Sequence, residues 1–143
     1  MPTRRSSAHW DGGIKSGSGT FTGESGAIGG QYSFSSRFEE GVGSNPEELL
    51  AAAEAACFSM ALSGNIERAG GKPTKIQTNA SCTVEPADNG FRITKIHLDV
   101  TASVEGMDDG QFGEVAQKTV ETCPVSKALH GNVEITIDAK LTG

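Results

Sequence analysis

The feature that most constrains this chain is residues 45–69, NPEELLAAAEAACFSMALSGNIERA, an alanine- and leucine-rich run with no β-branched residue before Ile66. Straight-chain side chains and alanine lose little freedom in a helix, so the run predicts one long helix. Its start is marked three times over. Asn45 is an N-cap type, Pro46 suits the first helical position, and Glu48 stands three residues after Asn45 as in a capping box. Gly70 and Gly71, followed by Pro73, end it. Apolar positions occupy too broad an arc for one narrow stripe, which predicts a helix buried on most sides.

The segments around this helix alternate or turn. Glycines punctuate the first third, and between them Ala8–Asp11, Gly19–Thr22 and Tyr32–Phe38 read as short strands. Lys75–Glu85 alternates, with Ile76, Ala80, Cys82 and Val84 on one face. Phe91–Val104 is a second long strand rich in Ile, Val and Thr, and PADNG between the two reads as a hairpin turn. Gln111–Glu121 has helical periodicity, Cys123-Pro124 breaks it, Val125–Leu129 is a short second helix, and Val133–Leu141 supplies a last strand. The expected fold is α+β, one domain over residues 1–143, with antiparallel sheets packed on a long central helix. At 143 residues the chain is long enough for one real core and short for two.

Charge and cysteine usage narrow the function. A formal charge of -6 and the absence of a basic cluster argue against nucleic acid and anionic lipid as partners. The arginines near the N-terminus have no apolar stretch behind them, and no later segment approaches eighteen uninterrupted apolar residues, so no membrane partner and a cytoplasmic location are expected. Three distant cysteines form neither a disulfide framework nor a zinc motif. His9, His97 and His130 share no metal-type spacing, and the glycine-rich stretches GGIKSGSGT and GESGAIGG match no phosphate-binding fingerprint. Neither a metal nor a bound cofactor is expected.

Reactive thiols remain. Cys57 in mid-helix is either a small inert core residue or a nucleophile, and activation would take a cation, because the helix N-terminus acts only over its first turn. Arg37, in YSFSSRF at the end of the third expected strand, is the candidate, against the ordinary reading of a surface arginine. Cys123, with Pro124 opening the next helix, is placed near unpaired backbone N–H groups and is expected to be accessible; the alternative is a free core cysteine. Cys82 shares an apolar strand face and reads as core.

The segments AHWDGGIKSGSGT, TGESG, GSNPEELLAAAEAACFSMAL and CPVSKAL, spread over nearly the whole chain, resemble the OsmC/Ohr family, and the AHW and ESG segments resemble its OsmC branch. The resemblance implies an intertwined homodimer with active sites at the subunit interface. It implies thiol-dependent reduction of organic hydroperoxides, with Cys57 as attacking thiol, Cys123 as resolving thiol, and Arg37 and Glu48 in support. The oxidised pair is then restored by an external dithiol such as a lipoylated protein, with no prosthetic group. Helical arithmetic adds a constraint: nine residues at about 100° and 1.5 Å each put Glu48 and Cys57 on opposite sides of a regular helix, roughly 13 Å apart along its axis. Either the helix breaks between them, for which LLAAAEAA offers no glycine or proline, or Glu48 serves the Cys57 of the partner subunit, which is the expectation, unless it is a helix cap and nothing more. The rival expectation is a non-enzymatic dimer that binds a small apolar ligand and uses its cysteines only structurally.

Overall fold

The computed structural model describes residues 1–142; Gly143, the last residue of the expected domain, lies outside the described residues. The chain divides into two compact units, Met1–Leu49 and Leu50–Gly143.

In the N-terminal unit, β1 (Ser6–Asp11), β2 (Ser18–Gly23) and β3 (Gly29–Tyr32) form an antiparallel sheet in that order. Gly19 sits in the middle strand directly between Trp10 and Tyr32. A Cβ there would lie 2.8 Å from the Trp10 ring and 2.7 Å from the Tyr32 ring, so glycine is what lets these rings approach to 5.3 Å between centroids. The third expected strand, Tyr32–Phe38, is not one. β3 stops at Tyr32 and α1 (Phe34–Phe38) follows, because Ser33 and Ser36 form a reciprocal cap. The Ser36 N–H donates to Ser33 Oγ at 3.1 Å, and the Ser33 N–H donates to Ser36 Oγ at 2.8 Å. Arg37 thus rides on a short helix rather than on a strand end.

The long helix α2 runs unbroken from Pro46 to Arg68, with its first turn in the N-terminal unit. Asn45 Oδ1 accepts from the Glu48 N–H at 2.7 Å, which satisfies one of the free donors of the first turn. At the far end the Gly71 N–H donates to the Ile66 carbonyl and the Gly70 N–H to the Glu67 carbonyl. This closing turn needs the positive φ of 93° that Gly70 adopts.

The C-terminal unit holds the core. β4 (Lys72–Ala87) and β5 (Gly90–Glu105) form a long antiparallel hairpin. α3 (Asp109–Thr122) and α4 (Pro124–Leu129) then carry the chain to β6 (Glu134–Leu141), which pairs with β5 in parallel. The sheet is therefore mixed where antiparallel strands were expected, because a two-helix connection is long enough for a crossover that a tight turn cannot make. Phe58, Leu62 and Ile66, four residues apart on α2, join Ile96, Leu98, Val100 and Ala102 of β5 and Phe112 and Ala116 of α3 in one buried cluster. Each large side chain so buried contributes about 1.5–3 kcal/mol. Cys82 lies half-buried against this cluster with Ile76 and Ala80, on the face expected for it.

α2 is long and apolar enough to cross a membrane by length and composition alone. Its Phe58–Leu62–Ile66 face, however, lies in the core cluster. The opposite face, with Ala52, Ala53, Ala56 and a Met60 that is 82% exposed, is open in the single chain. The expected burial on most sides is thus met on one side only, since the stripe spaced by four residues is all that one sheet can cover.

Candidate active site

Two clusters of chemically competent side chains are built, one in each unit. In the C-terminal unit, Cys123 ends α3 and caps α4, and its sulfur is fully buried. Its thiol donates to the half-buried Cys57 Sγ at 3.0 Å, so the two thiols expected to cooperate are brought together. A tie about two turns beyond Cys57 on α2 and one turn before Cys123 on α3 helps fix this approach: Asn65 donates from Nδ2 to Thr119 Oγ1 at 2.9 Å. The expectation that Cys123 is accessible is not met. The chain turns its side chain inward, and the Val125 N–H at the start of α4 serves Cys57 instead.

The surroundings of Cys57 push its thiol above the ordinary value. Burial is the largest cause, followed by its hydrogen bond with Cys123, which holds the Cys57 proton, and by the nearby charges of Cys123 and Glu54, while the Val125 N–H, which favours the thiolate, pulls it back down. Within this unit nothing in that balance favours a thiolate except one backbone N–H, so the need for an added cation, inferred from the sequence, persists.

Glu54, one helical turn before Cys57, was not singled out by sequence reasoning. It is fully buried, accepts a close hydrogen bond from Ser126 Oγ, and has its Oε1 3.8 Å from Cys123 Sγ. The signal was present: a lone carboxylate inside AAAEAACF shares a helix face with Cys57 and Phe58 at spacings of three and four.

In the N-terminal unit Arg37 is held by the carboxylate of Glu47, a residue that sequence reasoning did not single out. Arg37 Nη2 donates to Glu47 Oε1 at 2.9 Å and Nε donates to the same oxygen at 3.1 Å, with Glu47 buried. Glu48 is exposed, does not meet Arg37, and its Oε1 accepts from Ser44 Oγ. The difference between adjacent residues is one of helix phase, since a step of about 100° turns one side chain toward α1 and the next toward solvent. The segment between the pair is fixed as well: Ser36 Oγ donates to the Ser44 carbonyl at 2.7 Å and Asn45 Nδ2 to the Ser36 carbonyl at 2.9 Å. The Arg37 guanidinium also lies 5.0 Å from the centre of the Phe38 ring and borders a cavity of about 320 Å³ whose other walls include Trp10, Ile14, Tyr32 and Phe34.

Among the described residues one group brings metal-type ligand atoms within 4.8 Å of one another, namely His97, Asp99 and Asp138. Asp99 and Asp138 face each other across β5 and β6, and His97 Nε2 approaches them at 3.3 and 3.2 Å while Nδ1 meets Thr136 Oγ1 at 2.6 Å. The imidazole thus already links the two opposed carboxylates.

A family model described as OsmC-like protein matches residues 39–138, the stretch that carries all three cysteines and the Asn-Pro-Glu-Glu helix start. The chain belongs to the OsmC-like family. Within that family it is 48% identical to peroxiredoxin OsmC of Escherichia coli over 96% of both chains. It is 36% identical to the organic hydroperoxide resistance protein OhrA of Bacillus subtilis over 66% of this chain and 65% of that one. The likeness thus extends over almost the full length on the OsmC side and about two thirds on the other. An organic hydroperoxide resistance protein OsmC of Legionella pneumophila superposes with a TM-score of 0.80 over 99% of this chain and 98% of that one. At 23% identity it bears on the fold alone.

Proposed function

We propose that this chain is a thiol-dependent peroxidase that reduces organic hydroperoxides to alcohols. The observation that carries the reading is the 3.0 Å approach of Cys57 Sγ to Cys123 Sγ, about 1 Å from disulfide bonding distance. In the first step the Cys57 thiolate attacks the distal oxygen of ROOH, the O–O bond breaks, and the alkoxide leaves as the alcohol after taking a proton. Cys57 is then a sulfenic acid. Cys123 attacks its sulfur, an S–S bond replaces the S–O bond, and water leaves before further peroxide can carry Cys57 to sulfinic acid. Return to two thiols takes two electrons from an external dithiol, for which a lipoylated protein is the candidate class.

Arg37 supplies the missing cation in this reading. A guanidinium stays charged when partly buried, and the Glu47 carboxylate fixes its plane so that the remaining donors can favour the thiolate and the developing alkoxide charge. Glu47 takes the supporting role that the resemblance gave to Glu48, and Glu48 serves the helix start. The aromatic cavity bordered by Arg37 suits an apolar organic group beside a polar O–O bond.

The functional form is a homodimer, with residues 1–143 acting as one domain, the Arg37–Glu47 pair serving the partner's thiol, and a cytoplasmic setting where thiols stay reduced. Exposed Met60 on α2 and Val42, 99% exposed, support it. So does an N-terminal sheet with no large buried side chain of its own, since three short strands need an apolar cover to be stable.

The test is consumption of cumene hydroperoxide with dithiothreitol, followed together with the free-thiol count. Two thiols per chain are expected to disappear on a peroxide pulse, and Cys57→Ser is expected to abolish turnover. Persistent turnover in that variant, or a chain that binds apolar ligands and consumes no peroxide, overturns the assignment.

A further inference from the structure

The peroxidase reading leaves one proton without a carrier. When Cys123 attacks the Cys57 sulfenic acid it must shed its thiol proton, yet its sulfur is fully buried. Among the described residues that sulfur has two acceptors within reach of its single proton, Cys57 Sγ and Glu54 Oε1 at 3.8 Å. Glu54 is an unusual occupant of this place. It lies among the apolar side chains of Cys57, Phe58 and Ala61, is fully buried, and makes no ion pair among the described residues. Its Oε1 is oriented by the Ser126 hydroxyl, while its Oε2 is buried with no hydrogen-bond partner. A buried carboxyl with an unpartnered oxygen is a costly structural element, and such groups persist where they do chemistry.

We propose that Glu54 is the general base of the resolving step. This deepens the peroxidase reading and rests on it. The Glu54 carboxylate accepts the Cys123 thiol proton as the Cys123 sulfur forms its bond to Cys57 Sγ. The S–O bond of the sulfenic acid breaks, and the departing hydroxide takes the proton from Glu54 and leaves as water. Cys123 is oxidised, the sulfenic sulfur is reduced, and Glu54 ends as it began. The route is short, since Glu54 and Cys57 are neighbours one turn apart on α2, and Ser126 keeps the carboxyl aimed at Cys123. The same charge opposes the Cys57 thiolate, so Glu54 serves the second step at some expense to the first.

The experiment separates the two steps in the full chain. One equivalent of cumene hydroperoxide is added to reduced protein, the Cys57 sulfenic acid is trapped with a 1,3-dione, and disulfide formation is followed by free-thiol count between pH 5.5 and 9. Glu54→Gln keeps the shape and cannot take a proton. It is expected to form sulfenic acid at least as fast as wild type and to form disulfide about 10²-fold more slowly at neutral pH. Its resolving rate is expected to climb with hydroxide concentration where the wild-type rate is flat. Glu54→Asp keeps a carboxyl one methylene back and is expected to resolve slowly with a flat profile. Should the glutamine variant fail to fold, the aspartate variant decides alone, and resolution at the wild-type rate overturns the proposal. So does a folded Glu54→Gln that resolves at the wild-type rate and pH profile, or one that slows sulfenic acid formation as much as resolution. Absence in wild type of both trapped sulfenic acid and peroxide-dependent thiol loss instead overturns the peroxidase reading, and this step with it.

Discussion

Glu47→Ala and Glu48→Ala form a pair of substitutions, one residue apart, for which the structure expects opposite results. Glu47 is buried and accepts from Arg37 through both Nε and Nη2. Removing it deletes charge-assisted bonds and leaves the guanidinium without its orienting partner. Because the Arg37 side chain is 37% exposed, water screens part of the loss, and the expected cost in stability is about 1 kcal/mol rather than the several that a buried pair would lose. The cost in activity is larger than that screening suggests, since a cation that swings by about an ångström no longer meets the developing charge. kcat/KM for cumene hydroperoxide is expected to fall on the order of 10–100-fold, or about 1.4–2.8 kcal/mol of transition-state stabilisation. Glu47→Gln, which keeps the shape and loses the charge, is expected to fall between Glu47→Ala and wild type. Glu48 bonds Ser44 and offers a negative charge to the first turn of α2, so its loss costs about 0.5 kcal/mol and leaves turnover near wild type. Urea midpoints and peroxidase turnover on the same preparations check both. Loss of turnover in Glu48→Ala with retention in Glu47→Ala refutes the assignment of Arg37's partner.

Cys123→Ser is expected to give one rapid peroxide-consuming event and then sulfinic acid at Cys57 under excess peroxide, seen by mass spectrometry; normal turnover without overoxidation removes Cys123 as the resolving thiol. Cys82→Ala, half-buried beside the core, is expected to cost on the order of 1 kcal/mol in urea unfolding and to leave turnover intact. Alkaline stability gives a further check. The folded chain holds the Cys57 proton at a pH where the unfolded chain, with an ordinary thiol near 9.0, has lost it. The stability of the reduced protein is therefore expected to fall as pH rises from about 9 toward the raised folded-state value. Cys57→Ser is expected to flatten that part of the urea-midpoint profile, and an unchanged alkaline slope contradicts the raised thiol.

Local chemistry made much of this protein legible before any coordinates. The Asn45 cap and the Gly70–Gly71 stop mark α2 because capping and positive φ are properties of a few adjacent residues. The β4–β5 hairpin, the break at Pro124 and the two reactive-thiol candidates are local in the same sense. The long stretch of matching motifs also let the sequence identify the family. Where local signals compete, the reading of the sequence was weaker: YSFSSRF has strand-like side chains, and only the reciprocal Ser33–Ser36 bonds turn it into a helix.

What tertiary structure decided were facing and proximity. Whether Glu47 or Glu48 meets Arg37 depends on the phase of α2 against α1, a rotation of about 100° that no count of residue types contains. That Cys123 is buried against Cys57, not exposed, depends on where α3 ends and on its tie to Asn65. Glu54 shows the same limit most clearly. The sequence by itself placed it on the helix face of Cys57, since three residues are just under one turn, but only packing brought Cys123 and Ser126 from some seventy residues away to its carboxyl. Spacing along a helix is a property of one chain segment, whereas the partner that a buried carboxyl finds is set by which segments the core brings together.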